Sequence, residues 1–200
     1  MKIAIIKYNA GNVQSVLYAL QRLGVNAIVT DNPKEIAGAD KVIFPGVGHA
    51  ASAMDYLQKM NLDKLIISLQ QPVLGICLGL QLLCRASEEG NTKCLGIFDA
   101  TVRKFDNSLQ TENPFKIPHM GWNNIYNLRS RLFTGVKENS FVYFVHSYYA
   151  ELSTQTIATS DYIIPFSAAI QKDNFYGVQF HTEKSAEAGI QIISNFLKLV

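Results

Sequence analysis

The chain has 200 residues, of which 48% are hydrophobic and 17% are charged, a length and composition suited to one domain with a sizeable core. No charge run or low-complexity stretch interrupts it, which excludes a largely disordered protein. The 18 basic and 16 acidic residues leave a net charge of +2 and are scattered along the chain, so we expect no nucleic-acid-binding surface.

The first half of the sequence alternates short apolar runs with helical patterns, which is typical of βαβ units around a parallel sheet. The predicted strands cover residues 3–6, 25–29, 41–44 and 72–76. The predicted helices cover about residues 12–23, 50–60, 62–69 and 78–84. The first apolar run is too short for a signal peptide, and no run approaches the roughly 18 apolar residues of a membrane helix.

Short strand-like runs separated by turn residues dominate the second half, at residues 95–105, 121–126, 141–146, 155–159, 168–171 and 177–180. This pattern predicts an antiparallel extension of the sheet. A last helix is predicted at about residues 185–199, with Ala186, Ile190, Ile193 and Leu197 buried. Because no linker or internal repeat divides the chain, we predict one α/β domain over residues 1–200.

The three cysteines, Cys77, Cys84 and Cys94, are an odd number and lack the spacing of metal ligands. We therefore expect no metal site and a reducing, cytoplasmic compartment. Cys84 and Cys94 have no motif beside them that would supply a base, so we interpret them as thiols of the core or near the surface.

Cys77 lies in a pattern that is typical of a catalytic nucleophile. Gly75-Ile76-Cys77-Leu78-Gly79 has the glycine-x-nucleophile-x-glycine form of a nucleophile elbow, a tight turn from a strand into a helix. An apolar strand precedes it and a helical pattern follows, and a helix N-terminus stabilises a thiolate through its dipole and free N–H groups. The alternative is that Cys77 is an ordinary buried cysteine.

A candidate base and its orienting group lie further along the chain, at His181 and Glu183. A cysteine hydrolase needs a base to move the thiol proton and a third group to orient that base. The two residues are two positions apart, so on an extended stretch both side chains would face the same side. They also follow a predicted strand, where the active sites of α/β proteins collect. Alone, such a pair is typical of a solvated loop, whereas beside a nucleophile elbow it indicates a triad.

Residues 75–81 (GICLGLQ) and 178–185 (VQFHTEKS) together resemble the class I, or triad, glutamine amidotransferase family. Four further segments narrow the resemblance to the glutaminase subunits of imidazole glycerol phosphate synthases, from histidine biosynthesis. They are residues 11–15, 45–48, 118–123 (PHMGWN) and 146–149. The resemblance spans nearly the whole chain in the right order, and PHMGWN is its most specific segment.

The resemblance implies a flavodoxin-like class I glutamine amidotransferase fold, with a central, mostly parallel sheet, an antiparallel extension and helices on both faces. It implies hydrolysis of L-glutamine to glutamate and ammonia, without a metal or nucleotide cofactor. The implied site has a catalytic triad of Cys77, His181 and Glu183, an oxyanion hole from the N–H groups of Val47 and Leu78, and glutamine-binding residues Gly48, Gln81, Ser147 and Tyr148.

The resemblance also implies a partner, the cyclase (synthase) subunit, in a heterodimer that makes imidazole glycerol phosphate and aminoimidazole carboxamide ribotide. Ammonia is protonated rapidly in bulk water, and 200 residues leave no room for a domain that binds an acceptor substrate. A partner subunit would therefore receive the ammonia. Asn12, Met120 and Trp122 would lie near this partner and the ammonia exit.

Two residues depart from the family pattern. Thr182 stands where the family has proline between the catalytic histidine and glutamate, which removes a residue that stiffens the turn. Asn9 stands where glycine is more frequent, a mild change because asparagine tolerates positive φ better than most residues.

Several interpretations stay open from the sequence alone. The chain could be the glutaminase subunit of another synthase, such as anthranilate synthase, or of a paralogous amidotransferase in a surface-sugar pathway. It could also be a non-catalytic, flavodoxin-like regulatory domain. His49 is interpreted as a surface residue at a helix start, His146 as either a core residue or a ligand, and Trp122 as either core or interface.

Overall fold

The computed structural model describes residues 1–9, 12–108, 115–198 and 200. The strands are β1 (Ile3–Ile6), β2 (Ala27–Thr30), β3 (Lys41–Gly46), β4 (Val73–Cys77), β5 (Cys84–Ser87), β6 (Thr92–Lys93), β7 (Phe98–Lys104), β8 (His119–Ile125), β9 (Ser140–His146), β10 (Tyr148–Ala150), β11 (Thr156–Tyr162), β12 (Ile164–Lys172) and β13 (Phe175–Val178). The helices are α1 (Val13–Arg22), α2 (Pro33–Ala37), α3 (Ala50–Lys59), α4 (Leu62–Ser68), α5 (Leu78–Leu83) and α6 (Ala186–Lys198). Gly11 and Leu199, which belong to predicted segments, lie outside the described residues.

Seven strands form the central sheet, in the order β11-β12-β13-β4-β3-β1-β2. The strands from β13 to β2 run parallel, and β12 and β11 are antiparallel additions at one edge. β1, β3 and β4 are buried along their whole length, as expected for parallel strands covered on both faces. The prediction of a mostly parallel sheet with an antiparallel extension is confirmed.

Three of the predicted strands lie outside the central sheet. The segment 95–105 supplies β7, which joins β10, β5 and β6 in a four-stranded sheet, and the segments 121–126 and 141–146 supply β8 and β9, a two-stranded ribbon. The prediction that these segments extend the central sheet is therefore wrong for all of them except Tyr126, which forms an isolated antiparallel bridge with Thr159 of β11. Alternating burial, as in β9, indicates a half-buried strand but does not specify its neighbour. The segment 177–180 differs too, because its strand, β13, runs parallel to β4.

Helices cover both faces of the central sheet, as predicted. Successive residues of β1 point to opposite faces, with Ala4 and Ile6 in one core and Ile3 and Ile5 in the other. The first core also contains buried side chains of α3, α4 and α5, and the second contains those of α1 and α6. No helix in the described ranges is long and apolar enough to cross a membrane.

The last helix, α6, presents a different face to the core from the predicted one. Ala186 and Ile190, predicted to be buried, are exposed, while Ile193 and Leu197 are buried as predicted. Gly189 lies so close to the preceding turn that a Cβ on it would be 1.9 Å from the Thr182 carbonyl oxygen. This close contact sets the rotation of the helix, which apolar periodicity alone does not specify.

The carboxyl ends of β3, β4 and β13 lie side by side, and the candidate site is built on these ends. Gly46 at the end of β3 is in register with Cys77 at the end of β4, and Val178 at the end of β13 is in register with Ile76. The sheet therefore brings together segments that are far apart in the sequence, at the edge where α/β proteins bind their ligands.

Candidate active site

Cys77 occupies the tight turn between β4 and α5. Its φ of 54° and ψ of −110° are strained for a residue with a side chain, and it is only 6% exposed. The flanking glycines permit the turn, because a Cβ on Gly75 would lie 2.8 Å from the Gly79 carbonyl carbon and one on Gly79 would lie 1.8 Å from the Phe44 carbonyl oxygen. The segment thus has the geometry of the predicted elbow.

The Tyr8 hydroxyl lies beside Gly46, the residue that precedes Val47 of the predicted oxyanion hole. A Cβ on Gly46 would lie 2.1 Å from the Tyr8 hydroxyl oxygen, so only glycine fits at the end of β3. That hydroxyl is buried and has no hydrogen-bond partner in the described part of the chain. Burial, followed by the nearby charge of Cys77, raises the pKa of Tyr8, so its phenol stays neutral.

His181 and Glu183 meet, but by a different backbone route from the one predicted. His181 Nδ1 lies 2.8 Å from Glu183 Oε1, and the two side chains are 5% and 1% exposed. The expected extended stretch is wrong, because Thr182–Lys184 forms a 3-10 turn after an extended His181. The turn folds the carboxylate back onto the imidazole, which gives the orienting contact that a triad requires.

The charge state of His181 follows from its neighbours. Burial by itself lowers the pKa of His181, but hydrogen bonds to Cys77 and Glu183, together with the negative charges of both, raise it to about 10. The imidazole is therefore protonated at neutral pH. In that state it can stabilise a thiolate beside it and can supply a proton to a leaving amine.

Thr182, which stands where the family that the sequence resembles has proline, begins the 3-10 turn. It is buried, and its hydroxyl oxygen has no hydrogen-bond partner among the described residues. Proline suits the first position of a helical turn, and His181 already has the extended backbone (φ −84°, ψ 98°) that a following proline requires. The backbone of His181 is therefore compatible with proline at position 182.

We expect Thr182→Pro to keep glutaminase activity within about tenfold of the wild type, which corresponds to about 1.4 kcal/mol. We also expect it to raise the midpoint of thermal unfolding, because proline restricts the unfolded chain. Initial rates and thermal unfolding curves check both results. Thr182→Ala is the matched control, since it removes the buried hydroxyl without stiffening the backbone. A much larger loss of activity in Thr182→Pro alone would show that the turn does not accommodate proline.

The sulfur of Cys77 also contacts two groups that the sequence did not single out. It lies 3.8 Å from the Val145 carbonyl oxygen and 3.7 Å from Nε2 of Gln179. Gln179 is completely buried, and its backbone N–H donates to the Ala168 carbonyl at 2.8 Å. Its position two residues before His181 was the signal that could have found it, because alternate residues after a strand share a face.

A cavity of about 310 Å³ opens beside the sulfur. Among its lining residues are all of the predicted catalytic, oxyanion and glutamine-binding residues except Glu183, namely Val47, Gly48, Cys77, Leu78, Gln81, Ser147, Tyr148 and His181. Glu89, Pro118, Val145 and His146 also line it. Of these, Glu89 and Val145 were not singled out from the sequence. Glu89 is the acidic member, and one of its oxygens accepts the Ala50 N–H at 2.6 Å, at the start of α3.

His146 lines the cavity as a neutral, buried residue. Its Nδ1 lies 2.8 Å from the Tyr148 carbonyl oxygen, which can only accept, so Nδ1 carries the proton and Nε2 accepts from His119 Nδ1 at 3.0 Å. Burial lowers the pKa of His146 to about 3 and that of His119 to about 4. The structure thus places His146 as a buried residue that lines the candidate site.

The predicted partner-facing residues include the most exposed side chains of the β8–β9 ribbon. Met120 is 63% exposed and Trp122 is 52% exposed, and Phe141 on the neighbouring strand is 61% exposed. Trp122 packs edge-on against Tyr143, across the ribbon. Asn12 is partly buried before α1, where it accepts a hydrogen bond from the Ser15 hydroxyl at 2.7 Å. His49 is an exposed residue at the start of α3, as predicted.

The fold and the site together define a class of protein. The family model of class-I glutamine amidotransferases matches residues 4–200. A crystal structure described as a glutamine amidotransferase superposes with a TM-score of 0.72 at 15% identity, covering 98% of this chain and 97% of that one. The second comparison supports the fold alone, whereas the family model carries the class.

Curated relatives narrow the family further. Imidazole glycerol phosphate synthase subunit HisH of Bacteroides fragilis (strain YCH46) is 59% identical over 199 residues, and both chains are covered completely. The same subunit of Bacteroides thetaiotaomicron is 54% identical over 199 residues, again with complete coverage of both chains. The chain therefore belongs to the class I glutamine amidotransferase family and, within it, to the HisH subunits.

Proposed function

We propose that this chain hydrolyses L-glutamine to glutamate and ammonia with a triad of Cys77, His181 and Glu183. The observation that carries the proposal is the cavity of about 310 Å³. It is lined by Cys77 and His181 and by the two residues proposed for the oxyanion hole, Val47 and Leu78. The class of reaction is that of the family, and the three residues are proposed as its nucleophile, its base and the group that orients the base. Residues 1–200 act as one glutamine amidotransferase domain in this proposal.

The reaction proceeds through a thioester. The Cys77 thiolate attacks the side-chain amide carbon of glutamine, and the N–H groups of Val47 and Leu78 hold the oxyanion. The C–N bond then breaks, His181 gives its proton to the leaving ammonia, and a γ-glutamyl thioester remains. Water, deprotonated by His181, attacks the thioester, and the C–S bond breaks to return the electron pair to sulfur. Glu183 keeps the imidazole oriented throughout.

The polar groups of the cavity match the two ends of glutamine. Both N–H groups of Gln81 donate to protein atoms, at 2.9 Å to the Tyr148 carbonyl and 3.0 Å to the Gln179 oxygen, so only its oxygen is left to accept from the substrate ammonium. The charge of Glu89 favours the same ammonium. The N–H groups of Gly48 and of the Ser147–Tyr148 segment are the donors proposed for the carboxylate.

The proposed partner is the cyclase subunit of imidazole glycerol phosphate synthase, in a cytoplasmic heterodimer. Its docking surface would include Asn12 and the exposed Met120 and Trp122. Large exposed apolar side chains in one ribbon are typical of an interface. Ammonia would pass to the cyclase site, which would make imidazole glycerol phosphate and aminoimidazole carboxamide ribotide.

We expect glutamine hydrolysis to depend on the partner. Val47 is 41% exposed and lies between Gly46 and Gly48, so its peptide can rotate at modest steric cost. If its N–H points away in the free chain, the oxyanion hole lacks one donor, which lowers the rate by about 10²- to 10³-fold. Partner binding would favour the rotated peptide and restore that donor.

The test measures glutamate release by the isolated chain, by the complex, and by the complex with the cyclase substrate bound. We expect the rate to rise by about 10²- to 10³-fold across the series. Trp122→Ala should reduce the gain, while Ile67→Ala, which removes a 50% exposed apolar side chain from α4, serves as the control. Equal rates in all three states would show that the oxyanion hole is preformed. No hydrolysis in any state would contradict the proposed function.

A further inference from the structure

We infer that Gln179 is a further catalytic residue, whose amide donates a hydrogen bond to the Cys77 sulfur and joins that sulfur to the glutamine-binding residue Gln81. The inference rests on the proposed function, because a hydrogen bond to the sulfur contributes to catalysis when Cys77 is the nucleophile. Its evidence is a chain of contacts around one fully buried side chain.

The contacts of Gln81 establish which way the Gln179 amide points. Gln81 Nε2 lies 2.9 Å from the Tyr148 carbonyl oxygen, which can only accept, so that atom is the donor end of the Gln81 amide. The same NH₂ group faces the Gln179 side chain at 3.0 Å and needs an oxygen there. The oxygen of Gln179 is thereby occupied, and its own NH₂ group faces the Cys77 sulfur at 3.7 Å.

An N–H group aimed at the sulfur favours the thiolate over the thiol. Gln179 has no exposed surface, so water does not compete for this hydrogen bond. The other neighbour of the sulfur, the Val145 carbonyl oxygen at 3.8 Å, can accept only from a protonated thiol. Gln179 therefore favours the thiolate, as the His181 imidazolium does, whereas the Val145 carbonyl favours the thiol. The Gln179 amide is neutral and does not change its protonation state.

The same hydrogen bond serves both halves of the reaction. When the thiolate forms the S–C bond, the sulfur loses its negative charge and the bond from Gln179 weakens. When water attacks the thioester, the C–S bond breaks and the electron pair returns to sulfur, where the Gln179 N–H stabilises it as a leaving group. A substrate ammonium that donates to the Gln81 oxygen would polarise the Gln81 amide and strengthen its bond to Gln179. Substrate binding and sulfur activation are thus connected through two neutral amides.

Two substitutions test the inference. Gln179→Met keeps the length of the side chain but removes both polar groups, and Gln179→Glu keeps an oxygen for Gln81 but removes the N–H toward the sulfur. The full chain is treated with iodoacetamide over pH 5 to 10, roughly the range in which thiols titrate, and alkylation of the Cys77 peptide is followed by mass spectrometry. Cys84 and Cys94 are buried and provide the internal background.

We expect the pH of half-maximal Cys77 alkylation to rise by about one unit in Gln179→Met, which means about tenfold slower alkylation below that pH. The rise should be larger in Gln179→Glu, because a carboxylate repels the thiolate. In the complex, kcat for glutamine hydrolysis should fall by about tenfold in Gln179→Met with little change in KM.

Asn195→Leu is the matched control, because Asn195 is a buried amide of α6 whose donors bind the Leu132 and Thr134 carbonyls away from the sulfur. It should lower thermal stability without moving the alkylation profile. The inference would be overturned by a folded variant, either Gln179→Met or Gln179→Glu, whose Cys77 is alkylated with the wild-type pH profile. If only one of the two variants folds, the result for that variant decides. Alkylation needs no glutamine turnover, so absent wild-type glutaminase activity in the complex would contradict the proposed function separately.

Discussion

Cys77→Ala is expected to abolish glutamine-dependent synthesis by the complex, with a loss of about 10⁴-fold or more, while ammonia-dependent synthesis survives. The Cys77 sulfur is the proposed nucleophile of the thioester, and no other side chain in the described turn between β4 and α5 can replace it. Added ammonia would enter the cyclase reaction after the step proposed for Cys77. Steady-state rates with glutamine and with ammonium salts, measured on the same complex, separate the two activities.

The other two cysteines are the controls for this result. Cys84 and Cys94 are buried, and burial raises the pKa of Cys84 well above its usual value and that of Cys94 to about 12, so both stay protonated. Cys84→Ala and Cys94→Ala should keep glutaminase activity. A glutamine-analogue electrophile should label Cys77 in the wild type, and labelling of Cys84 instead would contradict the assignment.

His181→Ala is expected to lower glutamine hydrolysis by about 10³- to 10⁴-fold, because base and nucleophile act as one unit. The variant loses both the proton donor for ammonia and the cation that stabilises the thiolate. Glu183→Gln should have a smaller but large effect, since it keeps a hydrogen-bond acceptor 2.8 Å from His181 Nδ1 but removes the charge. Glutamate release by the complex measures both variants, and a wild-type rate in His181→Ala would exclude the triad.

The pH dependence of stability provides a second readout for His181. Its pKa is raised to about 10 in the folded chain, against the usual 6.5 when unfolded. The protonated imidazole therefore contributes stability that is fully present below pH 6.5 and is lost as the pH rises through about 10. The difference in free energy of unfolding between the wild type and His181→Ala should shrink over that interval, as measured by denaturant titration at several pH values.

The predicted βαβ half is close to the observed one because its signals are local. A continuous apolar run reads as a strand that is buried on both faces, and β1 begins and ends where it was predicted. The glycines around Cys77 indicate a tight turn from residue type alone, since a Cβ at Gly79 would overlap the Phe44 carbonyl oxygen. The pairing of a nucleophile elbow with a histidine and a glutamate then indicated the chemistry.

The antiparallel half was predicted less well, because strand pairing is not local. The alternation in β8 and β9 indicates that each has one buried face, but it does not specify that the two strands pair with each other as a separate ribbon. The face of α6 was misplaced for a related reason, since the close contact of Gly189 with the Thr182 turn sets its rotation. The spacing of apolar residues in the sequence specifies neither the pairing of β8 with β9 nor the contact of Gly189 with the Thr182 turn.

The sequence by itself indicated a cysteine nucleophile with a base and an orienting group at positions 77, 181 and 183, and the class of reaction followed from the resemblance of residues 75–81 and 178–185 to a known family. Only the tertiary structure decided that Thr182–Lys184 is a turn that folds Glu183 onto His181, and that Gln179 and the Val145 carbonyl contact the sulfur. The two contacts of the sulfur join positions that are 68 and 102 apart in the sequence. They depend on the tertiary packing that brings β9 and the end of β13 beside the end of β4, which no single stretch of sequence encodes.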